Sequence, residues 1–204
     1  RRVLRLLTPL CKGYLAHKGA CGARVALELQ GGNGYLEDFA APRLLRDAQG
    51  LALFAGTNDL CLLDGLRALS RPGVADALLR EAERKLVAIT HPRLRQLAEQ
   101  TRRHLDRVER SLQRLFGFGQ EVLQHHARPV LDALLQSYQV ALALSESDRL
   151  DEHGQGGRDY LVAERLLHQN LDRPSLETVG PWHVDPLRLQ VLLGQRIARV
   201  AEVA

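Results

Sequence analysis

Apolar residues return at intervals of three and four along almost the whole chain, and no segment shows the alternation that marks a half-buried strand. That periodicity sets the fold class as all-α, a helical bundle. The clearest case is residues 94–116, where Leu97, Leu105, Val108, Leu112 and Leu115 lie near one stripe of a long amphipathic helix, opposite many arginines. Glycine and proline cut the pattern elsewhere. Arg1-Arg2-Val3-Leu4 is already helix-like, and Thr8-Pro9 reads as a start signal, with threonine as cap and proline in the first helical position. Leu10, Tyr14, Ala20, Ala23, Ala26 and Leu29 extend an apolar stripe up to Gly31-Gly32-Asn33-Gly34, where the helix must stop.

Residues 35–41 read as a connection, after which Pro42 opens a helix with Leu44, Leu45 and Ala48 on its apolar face. Gly56-Thr57 interrupts the pattern, and Asn58 to Leu69 resumes it through Leu60, Leu63, Leu66 and Leu69. Further helices are expected over 75–90, 94–116 and about 120–145, with His91-Pro92 as a break and Pro129 as a kink or restart. Residues 145–157 are polar and glycine-rich, hence a loop, and 160–168 and 186–203 complete the helices.

The 204 residues suffice for one core, or one core with a helical appendage. No methionine occurs, not even at position 1, so the chain reads as a piece of something longer. No apolar run reaches the roughly 18–20 residues that a membrane span needs. Cys11, Cys21 and Cys61 are odd in number and lack CxxC spacing, which suggests free thiols in a reducing compartment, the cytoplasm above all. The net charge of +4 is carried almost wholly by arginine, since only Lys12, Lys18 and Lys85 are lysines.

Three linked blocks narrow the reading further. Glu28-Leu29-Gln30-Gly31-Gly32-Asn33-Gly34-Tyr35 is followed by Arg43-Leu44-Leu45-Arg46-Asp47-Ala48, then by Ala55-Gly56-Thr57-Asn58-Asp59-Leu60. In order and spacing they resemble the last core helices of the acyl-CoA dehydrogenase family. The resemblance covers residues 8–70, and the remainder resembles the extra C-terminal region of that family's larger members. It implies a segment of the dehydrogenase helical core over residues 1–70 and a helical extension over 71–204. Thr8-Pro9, Lys12 and Leu63-Asp64-Gly65-Leu66-Arg67-Ala68-Leu69 look like the bacterial alkylation-response flavoproteins. Gly56-Thr57-Asn58-Asp59-Leu60 looks more like the very-long-chain enzymes.

The resemblance implies FAD as cofactor, an acyl-CoA substrate, a homo-oligomer, and an electron-transferring flavoprotein as electron acceptor. It implies α,β-dehydrogenation of the thioester, with a carboxylate removing the α-proton while hydride leaves the β-carbon. It places Gly31, Gly32 and Gly34 against the flavin pyrophosphate, often from the neighbouring subunit, where missing side chains let backbone amides approach phosphate. Thr57 and Asp59 match positions that contact the cofactor, and Glu28 another cofactor-linked position, often glutamine in relatives. Phe54 and Gly56 fall beside the thioester, and the backbone amide of Ala55 matches the donor to its carbonyl oxygen. The chain's own reading of these residues is plainer: a glycine C-cap at 31–34, a helix cap at Thr57 or Asn58, and a packing aromatic at Phe54.

The departure from the family is Ala55 itself. Many members carry the catalytic glutamate there, and alanine has no proton acceptor. Either the base lies on an earlier helix, outside residues 1–204, or dehydrogenation has been lost. Arg43, Arg46 and Asp47 read as structural ion-pair residues. His125 and His126 point about 100° apart on one helix and make a poor metal pair; His104 and His168 lack local ligand partners, so no metal is expected. Arg95, Arg102, Arg103, Arg107, Arg110 and Arg114 suit DNA phosphates or an acidic membrane surface, as the two resemblances imply, or a solvated face paired as Glu99–Arg103 and Asp106–Arg110.

Overall fold

The first helix, α1 (Arg2–Leu29), runs straight through Thr8-Pro9. This corrects the expected start. Thr8 does not cap; its hydroxyl donates to the Leu4 carbonyl at 2.8 Å, as threonine does inside a helix. Pro9 lacks the N–H that would reach back to Arg5, but it is buried beside Leu6 and Leu10, and that packing holds the helix on both sides. In this computed structural model residues 1–118 and 120–168 are described, and no strand occurs among them. The expected helix over 186–203 and the side chains of His125 and His126 lie outside what is described.

After Gln30 the chain enters the left-handed region at Gly31 (φ 57) and makes one 3-10 turn, Gly31–Gly34. Helix α2 (Ala40–Leu53) begins two residues before Pro42, which sits in its first turn. Helix α3 (Asn58–Leu69) follows the break at the expected residue. Helix α1 packs against both α2 and α3. Its crossing with α3 runs over small residues: a Cβ on Gly13 would stand 3.3 Å from Cys61 Cβ, and one on Gly65 would stand 2.6 Å from a Leu10 methyl. Several expected core residues face outward instead. Leu29, Leu44 and Leu60 are exposed, and the buried residues of α2 are Ala41, Pro42 and Ala52. The helical periods were right, but these residues lie on the exposed sides of α1, α2 and α3.

Helix α4 (Val74–Val87) and α5 (Pro92–Phe116) are separated by the His91-Pro92 break, with Pro92 in the first turn of α5. Asp148 ties that turn down, accepting from the amides of Thr90 at 3.0 Å and His91 at 2.9 Å. The expected α5 stripe is buried in full, joined by Leu94, Ala98, Thr101 and His104. Helix α6 (Gln120–Asp151) passes Pro129 without ending and overruns the expected loop at 145–157. Ser147 is the reason: its side chain turns inward and donates to the Gly156 carbonyl at 2.8 Å, so a polar residue continues the helix rather than breaking it. Helix α7 (Gly157–Leu166) completes the described elements.

These helices form two compact units. The first holds residues 1–74 with 120–132, and the second holds 75–118 with 133–168. The opening stretch of α6 therefore belongs with α1–α3, and the rest of α6 with α4, α5 and α7. No described helix is long and apolar enough to cross a membrane.

Candidate functional site

The break between α2 and α3 is the most unusual backbone among the described residues. Phe54 closes α2, its amide donating to Gly50 at 3.0 Å. Ala55 then takes φ 54, alone among the described non-glycine residues on the positive side, and Gly56 follows at φ 94. An L-alanine in the left-handed region is disfavoured by about 1 kcal/mol, so its surroundings must hold it there. Among the described residues, the amides of Ala55 and Gly56 donate to no protein acceptor. The Gly56 carbonyl, in contrast, accepts from Lys12 Nζ on α1, with the Cys61 thiol 3.9 Å away.

Beside this break lies a cavity of about 470 Å³ whose wall includes Leu4, Thr8, Lys12, Ala55, Gly56 and Leu60. One side is braced by Arg5, whose two terminal nitrogens donate to Asp64 at 2.7 and 2.6 Å. The Arg5 guanidinium holds the Asp64 carboxyl below its ordinary range, by hydrogen bond first and charge second. Thr57 caps α3, accepting from the Leu60 amide at 3.4 Å. Asp59, in the first turn, is paired with Arg128 of α6. That pair answers an electrostatic objection: an aspartate alone would repel a phosphate, whereas Asp59 with Arg128 is neutral. The buried Asn58 Oδ1 has no hydrogen-bond partner among the described residues. Phe54 is 74% exposed, its ring resting 3.2 Å from where a Gly50 Cβ would stand.

The three glycines of the 31–34 run have three different physical reasons. Gly34 is required by the chain, because a Cβ there would lie 2.2 Å from the Leu27 carbonyl oxygen. Gly31 is required by its left-handed φ of 57, though the space around it is open. Gly32 has neither restriction: nothing lies within 4 Å of its would-be Cβ, and its φ is not positive. Glu28, just upstream, pairs with Arg24 at 2.7 Å on the surface of α1. Arg46 holds Glu37 at 2.7 Å and Arg43 approaches Asp47 at 3.7 Å, so this block forms local ion pairs.

The glycine turn and the break are not brought together. Lys12, which touches Gly56, and Leu29, the last helical residue before the turn, are separated along α1 by about 26 Å, from the helical rise alone. The open Gly32, the unpaired amides of the break and the orphaned Asn58 oxygen are groups that a bound nucleotide can meet, at two separate places on the chain.

In the second unit, α5 carries an open cleft of about 480 Å³ lined by Gln100, Arg103, His104, Asp106, Arg107 and Arg110. The expected pairs Glu99–Arg103 and Asp106–Arg110 do not form through their carboxylates. Arg103 and Arg110 instead donate from Nε to the backbone carbonyls of Glu99 and Asp106, at 3.5 and 3.2 Å. Glu99 is taken by Arg102, which also reaches Glu83. His104 is buried, with the Arg107 guanidinium 2.6 Å from its Nδ1.

Sequence reasoning missed Arg128, which is 69 positions from Asp59 and has no local signal. It also missed the role of Lys12, whose one cue is its identity, a lysine where arginine is the rule.

Residues 3–70 match the family model of the acyl-CoA dehydrogenase C-terminal domain. Over 68 residues the chain is 41% identical to acyl-CoA dehydrogenase family member 11 of Caenorhabditis elegans, spanning 33% of this chain and 11% of that protein. It is 28% identical to AidB of Escherichia coli strain K12 over 138 residues, 65% of this chain and 26% of that one. The crystal structure of Caenorhabditis elegans ACDH-11 in complex with C11-CoA superposes with a TM-score of 0.74 at 26% identity, over 86% of this chain and 30% of that chain. The chain thus spans less than a third of each of these relatives.

Proposed function

We propose that this chain, whose residues 3–70 belong to the acyl-CoA dehydrogenase C-terminal domain family, is the C-terminal helical part of an FAD-dependent enzyme that forms an α,β double bond in acyl-CoA thioesters. The observation that carries the proposal is the strained break: two adjacent backbone amides, at Ala55 and Gly56, stand without protein acceptors beside a cavity. Such amides polarise a thioester carbonyl and stabilise the enolate-like charge that develops when the α-proton leaves. FAD, when bound, supplies the hydride acceptor. Gly31, Gly32 and Gly34 form the turn that approaches its pyrophosphate, and Thr57 and Asp59, the latter neutralised by Arg128, stand at the cofactor edge. Phe54 lies beside the thioester. That ACDH-11 is solved with C11-CoA supports the acyl-CoA reading.

The base is not in this site. Ala55 has no proton acceptor, and Asp64, the carboxylate on the cavity wall, is held ionised by Arg5 and is a weak base for that reason. We assign proton abstraction to a carboxylate on another part of the parent protein. The separation of the glycine turn from the break supports a homo-oligomer in which two copies complete one flavin site. Electrons then pass to an electron-transferring flavoprotein, and the setting is the cytoplasm.

The test is anaerobic titration of the FAD-loaded parent with acyl-CoAs of several chain lengths. Loss of the oxidised flavin absorbance supports the dehydrogenase reading; a flavin that binds and never bleaches overturns it. Gly32→Ala is the companion variant, expected to leave the fold intact and to lower FAD retention. A second reading rests on the arginine cleft of α5: a flavoprotein that binds DNA phosphates, with weak or lost dehydrogenation. DNA affinity that falls steeply with salt supports it, and an equal affinity for acidic vesicles favours a membrane surface instead.

A further inference from the structure

We propose that Lys12 is a positioning residue for the Ala55–Gly56 amide pair, holding it in the left-handed turn that leaves both N–H groups open to the cavity. This deepens the reading above and rests on it for the chemistry, while the contact itself is a property of this chain alone.

Lys12 sits on α1 next to Gly13, which packs against Cys61 and Asn58 of α3, and its ammonium donates to the Gly56 carbonyl. Its choice of partner is unusual. Asp64, on the same cavity wall, is already taken at both oxygens by Arg5. Lys12 is half-buried and forms no ion pair with a described carboxylate; its charge is directed at a neutral backbone oxygen. A hydrogen bond from an ionised donor is roughly twice as strong as a neutral one. It pins the peptide plane between Gly56 and Thr57, and with it the two residues before.

The competing conformation is simple. Freed from Lys12, Ala55 relaxes into the right-handed region that alanine prefers, adding a turn to α2. When Phe54, now extended at ψ 154, turns helical with it, the Ala55 amide pairs with the Leu51 carbonyl and that of Gly56 with Ala52, the helical i to i−4 partners. Both donors would be consumed by the helix. Lys12 therefore keeps an amide pair exposed that local energetics would close.

The experiment uses the isotope-labelled chain, with Lys12→Met and Lys12→Arg. In Lys12→Met the Gly56 carbonyl carbon resonance moves and hydrogen exchange at Ala55 and Gly56 slows about threefold to tenfold, the factor a net helical hydrogen bond contributes. Lys12→Arg, which keeps a cationic donor, retains wild-type exchange. In an Ala55→Gly background, where the left-handed turn carries no side-chain penalty, Lys12→Met has a smaller effect than in the parent sequence. An unmoved Gly56 carbonyl, or equal effects in both backgrounds, overturns the proposal. If Lys12→Met does not fold, Lys12→Gln is read by the same resonances. In the FAD-loaded parent, Lys12→Met lowers kcat with little change in KM. A parent whose flavin never bleaches sinks the dehydrogenase reading, yet leaves the amide measurements to decide the role of Lys12.

Discussion

Replacing Gly34 with alanine sets a new Cβ 2.2 Å from the Leu27 carbonyl oxygen and 3.0 Å from its carbon. An ordinary carbon-to-oxygen contact is about 3.3 Å or more, so the turn and the end of α1 must separate by roughly 1 Å. The obstruction is backbone and cannot be relieved by a rotamer change. Overpacking of this kind costs about 1–3 kcal/mol, and an immobile neighbour puts Gly34→Ala at the upper end. Stiffening of the unfolded chain returns about 0.4–1 kcal/mol, leaving a net loss of about 2 kcal/mol. For a chain of this size that lowers Tm by roughly 4–8 °C. Thermal unfolding followed by circular dichroism measures it, with Gly32→Ala as the matched control. The control meets nothing within 4 Å and has no positive φ, so it is expected to be neutral or slightly stabilised. Equal melting of the two variants would refute the assignment of Gly34 to packing and Gly32 to an external group.

Asp148→Ala removes the acceptor of the Thr90 and His91 amides and is expected to destabilise the second unit by about 1–3 kcal/mol, read by urea unfolding. Asp132 is pushed above its usual range by burial, against attraction from Arg128, His17 and Lys18. Its charged form is thus disfavoured in the folded state, so Asp132→Asn gains stability at neutral pH, and the gain fades as pH falls through the raised value and the native acid becomes neutral. Asp64 has the opposite sign. Its carboxyl is lowered by Arg5, so its stabilising contribution is present at neutral pH and is lost only as pH falls below the ordinary carboxylate range toward the lowered value. The pair is over a third exposed on each side, so Asp64→Asn is expected to have a small, salt-sensitive effect on urea midpoints above pH 5 and none at the acid end.

Helix limits were legible wherever punctuation is local. Gly31-Gly32-Asn33-Gly34 ended α1, and Thr57 capped α3 at the expected residue, because a left-handed φ or a free amide is answered within a few positions. Thr8-Pro9 misled for the same reason: the pair satisfies the rules of a helix start, although Arg1 to Leu4 is already helix-like, and the burial of Leu6, Pro9 and Leu10 shows why the helix runs through. At Ser145 to Gly157 polarity was mistaken for a loop, since a sequence does not show that Ser147 turns inward. The α5 stripe is buried as read, whereas Leu29, Leu44 and Leu60 lie on real helical periods yet are exposed, because a period shows that a face is apolar and not that a neighbour covers it. Lys12 and Arg128 were beyond reach altogether, as each acts on a residue more than forty positions away.

The distribution of strain links these observations to function. Most of the described chain takes the conformation its local sequence prefers, and the exceptions gather at Ala55 and Gly56. A glycine at position 55 would remove the penalty without disturbing the turn, so an alanine there makes the turn depend on its neighbours. Lys12 from α1 and the capped start of α3 supply that restraint. The break is thus rigid through packing between helices rather than through its own residues. A site that must present two amides at fixed positions needs such rigidity, because donors that reorganise during reaction lose most of their electrostatic advantage. A chain break serving only as a connection has no use for unpaired amides, a half-buried lysine and a disfavoured alanine together. Their coincidence falls in the segment that matches the dehydrogenase C-terminal domain model, and it is what the proposed role of the Ala55 and Gly56 amides rests on.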